Sequence, residues 1–238
     1  MGWIELRAAD GHRLRAWSAV PDARVGATGD AAPRGAIVVL QEIFGVNAHI
    51  RSVCDRYASQ GWTAIAPQLF DRAADEVPEM GYGPQDIAQG QALKARVSEE
   101  AALLDVQAAI DHAASTGAGV AVGAAVAVVG FCWGGTLAWL AASRLKGLSA
   151  AVAYYGTNIA GNLNAVPQVP ALLHFGELDT FIPPEHVRRI AAACPQAELH
   201  VYPAGHGFNC DARAAFHAPS AELAAARTER FLRNAMPC

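Results

Sequence analysis

The stretch Ala125–Ala142, AVAVVGFCWGGTLAWLAA, decides how the rest of this 238-residue chain is read. Its first half is a run of small and β-branched apolar residues ending at Gly130, the composition of a strand buried on both faces. A helix-like pattern begins after Gly135. Cys132 stands at the turn between them, with Gly130 and Gly134 two residues away on either side. Glycines at those points let the backbone turn tightly and push the cysteine side chain into a cleft. The following helix aims its free N–H groups and the positive end of its dipole at the same spot, which favours a thiolate and a developing oxyanion.

Working outward, strand and helix patterns alternate along the chain. Upstream, an apolar run at 35–40 is followed by a helical face carrying Ile50, Val53, Cys54, Tyr57 and Ala58, and then by the strand WTAIAP. Ser98 is placed to cap a helix running to about Ser115. Downstream come SAAVAYYG, ALLHFG with a helix over 184–193, ELHVYP, and a last helix from about Pro219 to Asn234. At the start, two strand-like runs within residues 4–20 flank Asp10-Gly11, a hairpin signal. Residues 21–34 read as an exposed loop. Residues 67–97, rich in Pro, Gly, Asp and Gln with weak periodicity, read as an excursion that forms a lid or pocket wall. Apolar strands alternating with amphipathic helices predict an α/β sandwich with a mostly parallel sheet, in a single domain over 1–238. The glycines of GAGVAVG (117–123) precede a strand instead of opening a helix, so they are not a dinucleotide loop.

Composition excludes several functions. The chain is 53% hydrophobic and 17% charged, with a formal net charge of -4, which argues against a nucleic-acid partner. No apolar run is long enough for a membrane span, and the N-terminus lacks a signal-peptide core. Five scattered cysteines without CxxC spacing fit a reduced, cytoplasmic protein.

In an open parallel sheet, reactive groups gather beyond the carboxyl ends of the strands. Those ends carry Cys132, the pair Gln41-Glu42, the acids Glu177 and Asp179, and His206. Nucleophile, acid and histidine thus follow the chain order of the G-x-S-x-G elbow hydrolases, and Gly130-Phe131-Cys132-Trp133-Gly134 is that elbow with sulfur in place of oxygen. Core packing does not ask for GFCWGG, whereas Cys54 and Cys194, on helical faces, read as packing residues. His206, in PAGHGF, is the candidate general base, because a core histidine needs no glycine on both sides. His174 and His200 lie within strands and read as structural. Asp179 stands where an acid would orient the imidazole, with Glu177 as its competitor, and Glu42 falls beside the elbow. Cys210, His206 and His217 have no recognised metal spacing, so neither a metal nor a cofactor is expected.

QEIFGVNAHIRSVCDRYASQGWTAIAPQLFDR, GFCWGG, GELDTFIP and AGHGF together resemble the dienelactone hydrolase family of α/β-hydrolases, over about residues 35–233 and in the family's order. The resemblance implies an α/β-hydrolase fold and a Cys132–His206–Asp179 triad. It also implies Glu42 in contact with the resting thiol and an oxyanion hole from the backbone N–H groups of Ile43 and Trp133. Phe44, Phe208, Gly90 and Cys210 fall at substrate-binding positions. It implies action on small lactones or esters, with an acyl-thioester intermediate, by a monomer or weak dimer.

The archetype binds a substrate carboxylate with two arginines, whose places are taken here by Cys210 and Gly90. Gly207 stands where the archetype has serine. Arg72, Lys94, Arg96 and Arg213 are the cations on nearby segments. Hydrolysis of small esters or thioesters lacking a carboxylate, and a non-catalytic reactive-thiol protein, are the competing readings.

Overall fold

The computed structural model describes residues 1–21, 34–115 and 125–237. Most of the loop expected at 21–34, and all of the glycine-rich GAGVAVG, lie outside them. An eight-stranded sheet has the order β1-β2-β4-β3-β5-β6-β7-β8. The hairpin β1 (Gly2–Arg7) and β2 (Arg13–Ala19) pairs antiparallel, and β2 joins β4 (Thr63–Pro67) in the same sense. From β4 through β3 (Ala36–Leu40), β5 (Val126–Phe131), β6 (Ala150–Tyr154), β7 (Ala171–Gly176) and β8 (Glu198–Tyr202), every pairing is parallel.

Strands β3 to β7 are buried at every residue, so helices must cover both faces of the sheet, as a parallel sheet requires. α3 (Glu99–Ser115) and α4 (Trp133–Arg144) pack against each other and the central strands. α1 (Ala48–Ser59) and α6 (Ala218–Ala235) line a groove floored by the buried Phe131 and Tyr154. α5 (Pro184–Ala193) lies between β7 and β8 in the chain. Ser98 caps α3 as expected, its Oγ accepting from the Ala101 N–H at 3.1 Å. No described helix is long and apolar enough to cross a membrane.

The excursion at 67–97 holds more regular structure than its sequence suggests. It contains a 3₁₀ turn, Leu69–Arg72, and a full helix, α2 (Pro84–Lys94). Pro84 opens α2 and the Asp86 carboxylate accepts from the Gly83 N–H at 3.0 Å, so the start signals are sound. Only Gly90 and Leu93 are buried, which leaves no apolar stripe for periodicity to detect.

Candidate active site

Four strand ends meet at the carboxyl edge of the sheet. β5 delivers Cys132, held at φ 54° and partly exposed. The elbow glycines are required by close approach: a Cβ at Gly130 would lie 1.9 Å from the Gly134 carbonyl oxygen, and one at Gly134 would lie 2.4 Å from that of Leu40. The turn is tied to β3 by the Gly134 N–H, which donates to the Gln41 carbonyl at 3.1 Å. Trp133 is the first residue of α4, where a helix leaves its N–H groups without intrahelical acceptors. Its indole stacks on Phe70.

β7 delivers Asp179. One carboxylate oxygen accepts from the Phe181 and Ile182 N–H groups at 2.8 and 3.2 Å, and the other lies 2.7 Å from His206 Nδ1. Glu177, its competitor, points into solvent. His206, from the loop after β8, also hydrogen-bonds the Cys132 thiol. Burial pulls the imidazole pKa down, but the Asp179 and Cys132 contacts outweigh it and leave it raised to about 9. An imidazole that prefers its charged form beside a thiol is suited to take the thiol's proton.

β3 delivers Glu42, whose surroundings differ from the expected contact with the resting thiol. Its Oε1 accepts from Arg213 Nη1 at 3.0 Å, and its Oε2 is buried without a hydrogen-bond partner. Burial raises the Glu42 pKa, opposed by the charges of Arg213 and His206. Arg213 lies over the Phe44 and Tyr82 rings, and a Cβ at Gly207, which has φ +80°, would come within 2.5 Å of its Nη1. Glycine in the archetype's serine position thus makes room for a guanidinium that reaches Glu42 across 171 residues of sequence.

The four positions expected to bind substrate, Phe44, Phe208, Gly90 and Cys210, are all buried. A Cβ at Gly90 would stand 1.9 Å from the Ile43 carbonyl oxygen, so the residue lets α2 press on the backbone of the expected oxyanion hole and has no room for a side chain. Cys210 hydrogen-bonds Tyr82. Phe208 packs under Tyr155 and Tyr202, and Phe44 lies edge-on to Tyr82. Of the other nearby cations, Arg72 is held by Asp105 and Asp10, while Lys94 and Arg96 point to solvent.

Sequence reasoning missed Tyr82, Tyr155 and Phe181, whose exposed ring lies 5.0 Å from that of His206. Tyr82 and Tyr155 stand in segments with no local motif, and Phe181, inside GELDTFIP, is passed over in favour of the acids beside it. Among the described residues, the metal-ligating types that converge are His49, Cys210 and Asp211, a different set from Cys210, His206 and His217; His49 Nδ1 lies 3.2 Å from Asp211.

Comparison with known proteins identifies the family. The profile of the dienelactone hydrolase family matches residues 22–236. A carboxymethylenebutenolidase of Pseudomonas putida is 36% identical over 242 residues, covering 96% of this chain and 94% of its own length. A Yersinia pestis protein provisionally named carboxymethylenebutenolidase is 36% identical over 229 residues, covering 90% of this chain and 81% of its own. The crystal structure of a provisionally assigned dienelactone hydrolase from Klebsiella pneumoniae superposes with a TM-score of 0.78 at 30% identity, covering 97% of this chain and 98% of that one. The chain is a hydrolase with the α/β-hydrolase fold, and it belongs to the dienelactone hydrolase family.

Proposed function

We propose that this hydrolase cleaves small lactones or esters through Cys132, with His206 as general base and Asp179 as the acid that orients it. The observation that carries the reading is the elbow cysteine at φ 54°, hydrogen-bonded to an imidazole whose Nδ1 lies 2.7 Å from a buried carboxylate. The Cys132 proton passes to His206 as sulfur attacks the substrate carbonyl carbon. The carbonyl electron pair moves onto oxygen, where the N–H groups of Ile43 and Trp133 receive it. Collapse expels the ring or alkoxy oxygen, which takes the proton from His206, and leaves an acyl-thioester. Water, giving a proton to His206, attacks that thioester. The C–S bond breaks, the acid departs, and the proton returns to sulfur. Glu42, neutralised by Arg213, completes the charge balance beside the thiol.

Cys132→Ala tests the reading: turnover of lactones and aryl esters falls to background, while Cys54→Ala keeps the activity of the folded fraction. Full turnover by folded Cys132→Ala protein removes the mechanism. A reactive-thiol protein without catalysis would stop at one equivalent of product from an activated ester, whereas the hydrolase continues.

One observation favours substrates without a carboxylate. The two archetypal clamp positions hold Gly90 and Cys210, and Arg213, the cation placed at the site, is paired with Glu42. A charge-assisted contact to a substrate carboxylate contributes about 1.5–3 kcal/mol. Without two of them, kcat/KM for a carboxylated dienelactone falls below that for a neutral lactone of similar size. A strong preference for the carboxylated compound, abolished by Arg213→Met, would reverse this assignment and make Arg213 the clamp.

A further inference from the structure

Among the described residues, two that are not glycine have positive φ: Cys132 at 54° and Tyr155 at 40°. They follow neighbouring strands whose last residues, Phe131 and Tyr154, are paired in register, so both stand at the carboxyl edge of the sheet. A left-handed backbone is costly for an aromatic residue and persists only where its surroundings impose it. Here the Tyr155 N–H donates to the His174 carbonyl at 2.7 Å, and the ring is clamped among Phe131, Phe208 and His206.

That packing explains the ring and leaves the hydroxyl without a purpose. Tyr155 Oη is buried and has no hydrogen-bond partner in the described chain, an arrangement native structures rarely keep without a reason. Its ring lies 5.0 Å from that of His206, beside the triad, and the titratable groups that act on it are Glu42, Cys210, Arg213 and Cys132. Two of these are already engaged elsewhere: the Cys210 thiol with Tyr82 and Arg213 with Glu42. Burial drives the phenol pKa well above its ordinary value, so the hydroxyl keeps its proton and remains a neutral donor. Phenylalanine would pack equally well. A strained backbone and an idle donor on one residue, beside the nucleophile, belong together when a ligand supplies the missing acceptor.

We propose that Tyr155 is a substrate-binding residue whose hydroxyl donates a hydrogen bond to an oxygen on the acyl portion of the substrate, so that acyl groups bearing a neutral hydroxy or oxo oxygen are favoured over plain alkyl ones. The inference rests on Cys132 as the nucleophile, since that fixes where the acyl group lies.

The test is Tyr155→Phe, assayed with four esters sharing one leaving group and differing in the acyl chain: plain, hydroxy, oxo and carboxylate. kcat/KM falls about 10- to 100-fold for the hydroxy and oxo esters and stays within about two-fold for the plain ester. Because the hydroxyl has no partner in the free enzyme, Tm is unchanged or higher, whereas a structural hydroxyl would lower it. Loss on the hydroxy and oxo esters supports the assignment, whereas loss on the carboxylate ester alone overturns it, since the hydroxyl would then serve an anion clamp. Equal losses on all four esters, no loss on any, or a fall in Tm would overturn the assignment. The Cys132→Ala assay fails or succeeds independently, so a wrong nucleophile and a wrong role for Tyr155 are distinguishable.

Discussion

His206 is where opposing influences on a single residue can be weighed. Burial favours the neutral imidazole, while Asp179 and Cys132 favour the cation and win, raising the pKa from 6.5 to about 9. A raised base stabilises the fold fully below its unfolded value, and that contribution is lost as pH climbs from 6.5 through about 9. NMR titration of the His206 ring checks this: Cys132→Ala removes one of the two partners, so the midpoint moves down. Asp179→Asn removes the other and frees the ring to misorient, lowering kcat about 10²- to 10⁴-fold. Glu177→Gln leaves kcat nearly unchanged, because that side chain faces solvent. The opposite ranking would assign the orienting role to Glu177. The choice between two acids two residues apart was legible in the sequence only as a preference. The backbone N–H groups of Phe181 and Ile182, which hold Asp179 in place, are what separate them.

At the scale of elements, α2 shows how a helix can matter to a site it does not chemically enter. Its Gly90 rests directly on the Ile43 carbonyl, so Gly90→Ala puts a methyl group where backbone already stands. Either α2 withdraws or the Ile43 peptide moves. Overpacking of this kind costs about 1–3 kcal/mol, read as a lower denaturation midpoint. Displacing the Ile43 N–H, the proposed oxyanion donor, by a fraction of an ångström lowers kcat by about 10- to 100-fold with little change in KM. A variant with unaltered kcat would separate α2 from the oxyanion geometry. This contact could not be read from the chain. Gly90 sits in a helix with no apolar periodicity, and its partner is 47 residues upstream on another element.

For the whole molecule, Arg72 ties together parts that share no local sequence. Its guanidinium binds Asp105 on α3 at 2.7 and 2.8 Å and Asp10 in the β1–β2 turn at 2.7 Å. Asp105 is fully buried, so Arg72→Met leaves a carboxylate without its cation. Removing one partner of a buried pair costs about 3–5 kcal/mol. The denaturation midpoint drops accordingly, while kcat of the folded protein is preserved, since the guanidinium is committed to Asp105 and Asp10. If stability is unchanged, the hairpin is not fastened to the domain through this residue.

The sequence by itself determined the strand and helix alternation, the elbow around Cys132, and the approach of Glu42, Asp179 and His206 to one edge. Each of these follows from a local signal, apolar runs or glycine at a turn, combined with the rule that parallel strands collect reactive groups at their carboxyl ends. Tertiary structure alone decided what surrounds the thiol. Arg213 reaches Glu42, Gly207 leaves room for it, and Tyr155 is forced to φ 40° with its hydroxyl unpaired. None of these has a sequence signature, because each depends on atoms that only folding brings together, and a local pattern cannot report a long-range distance.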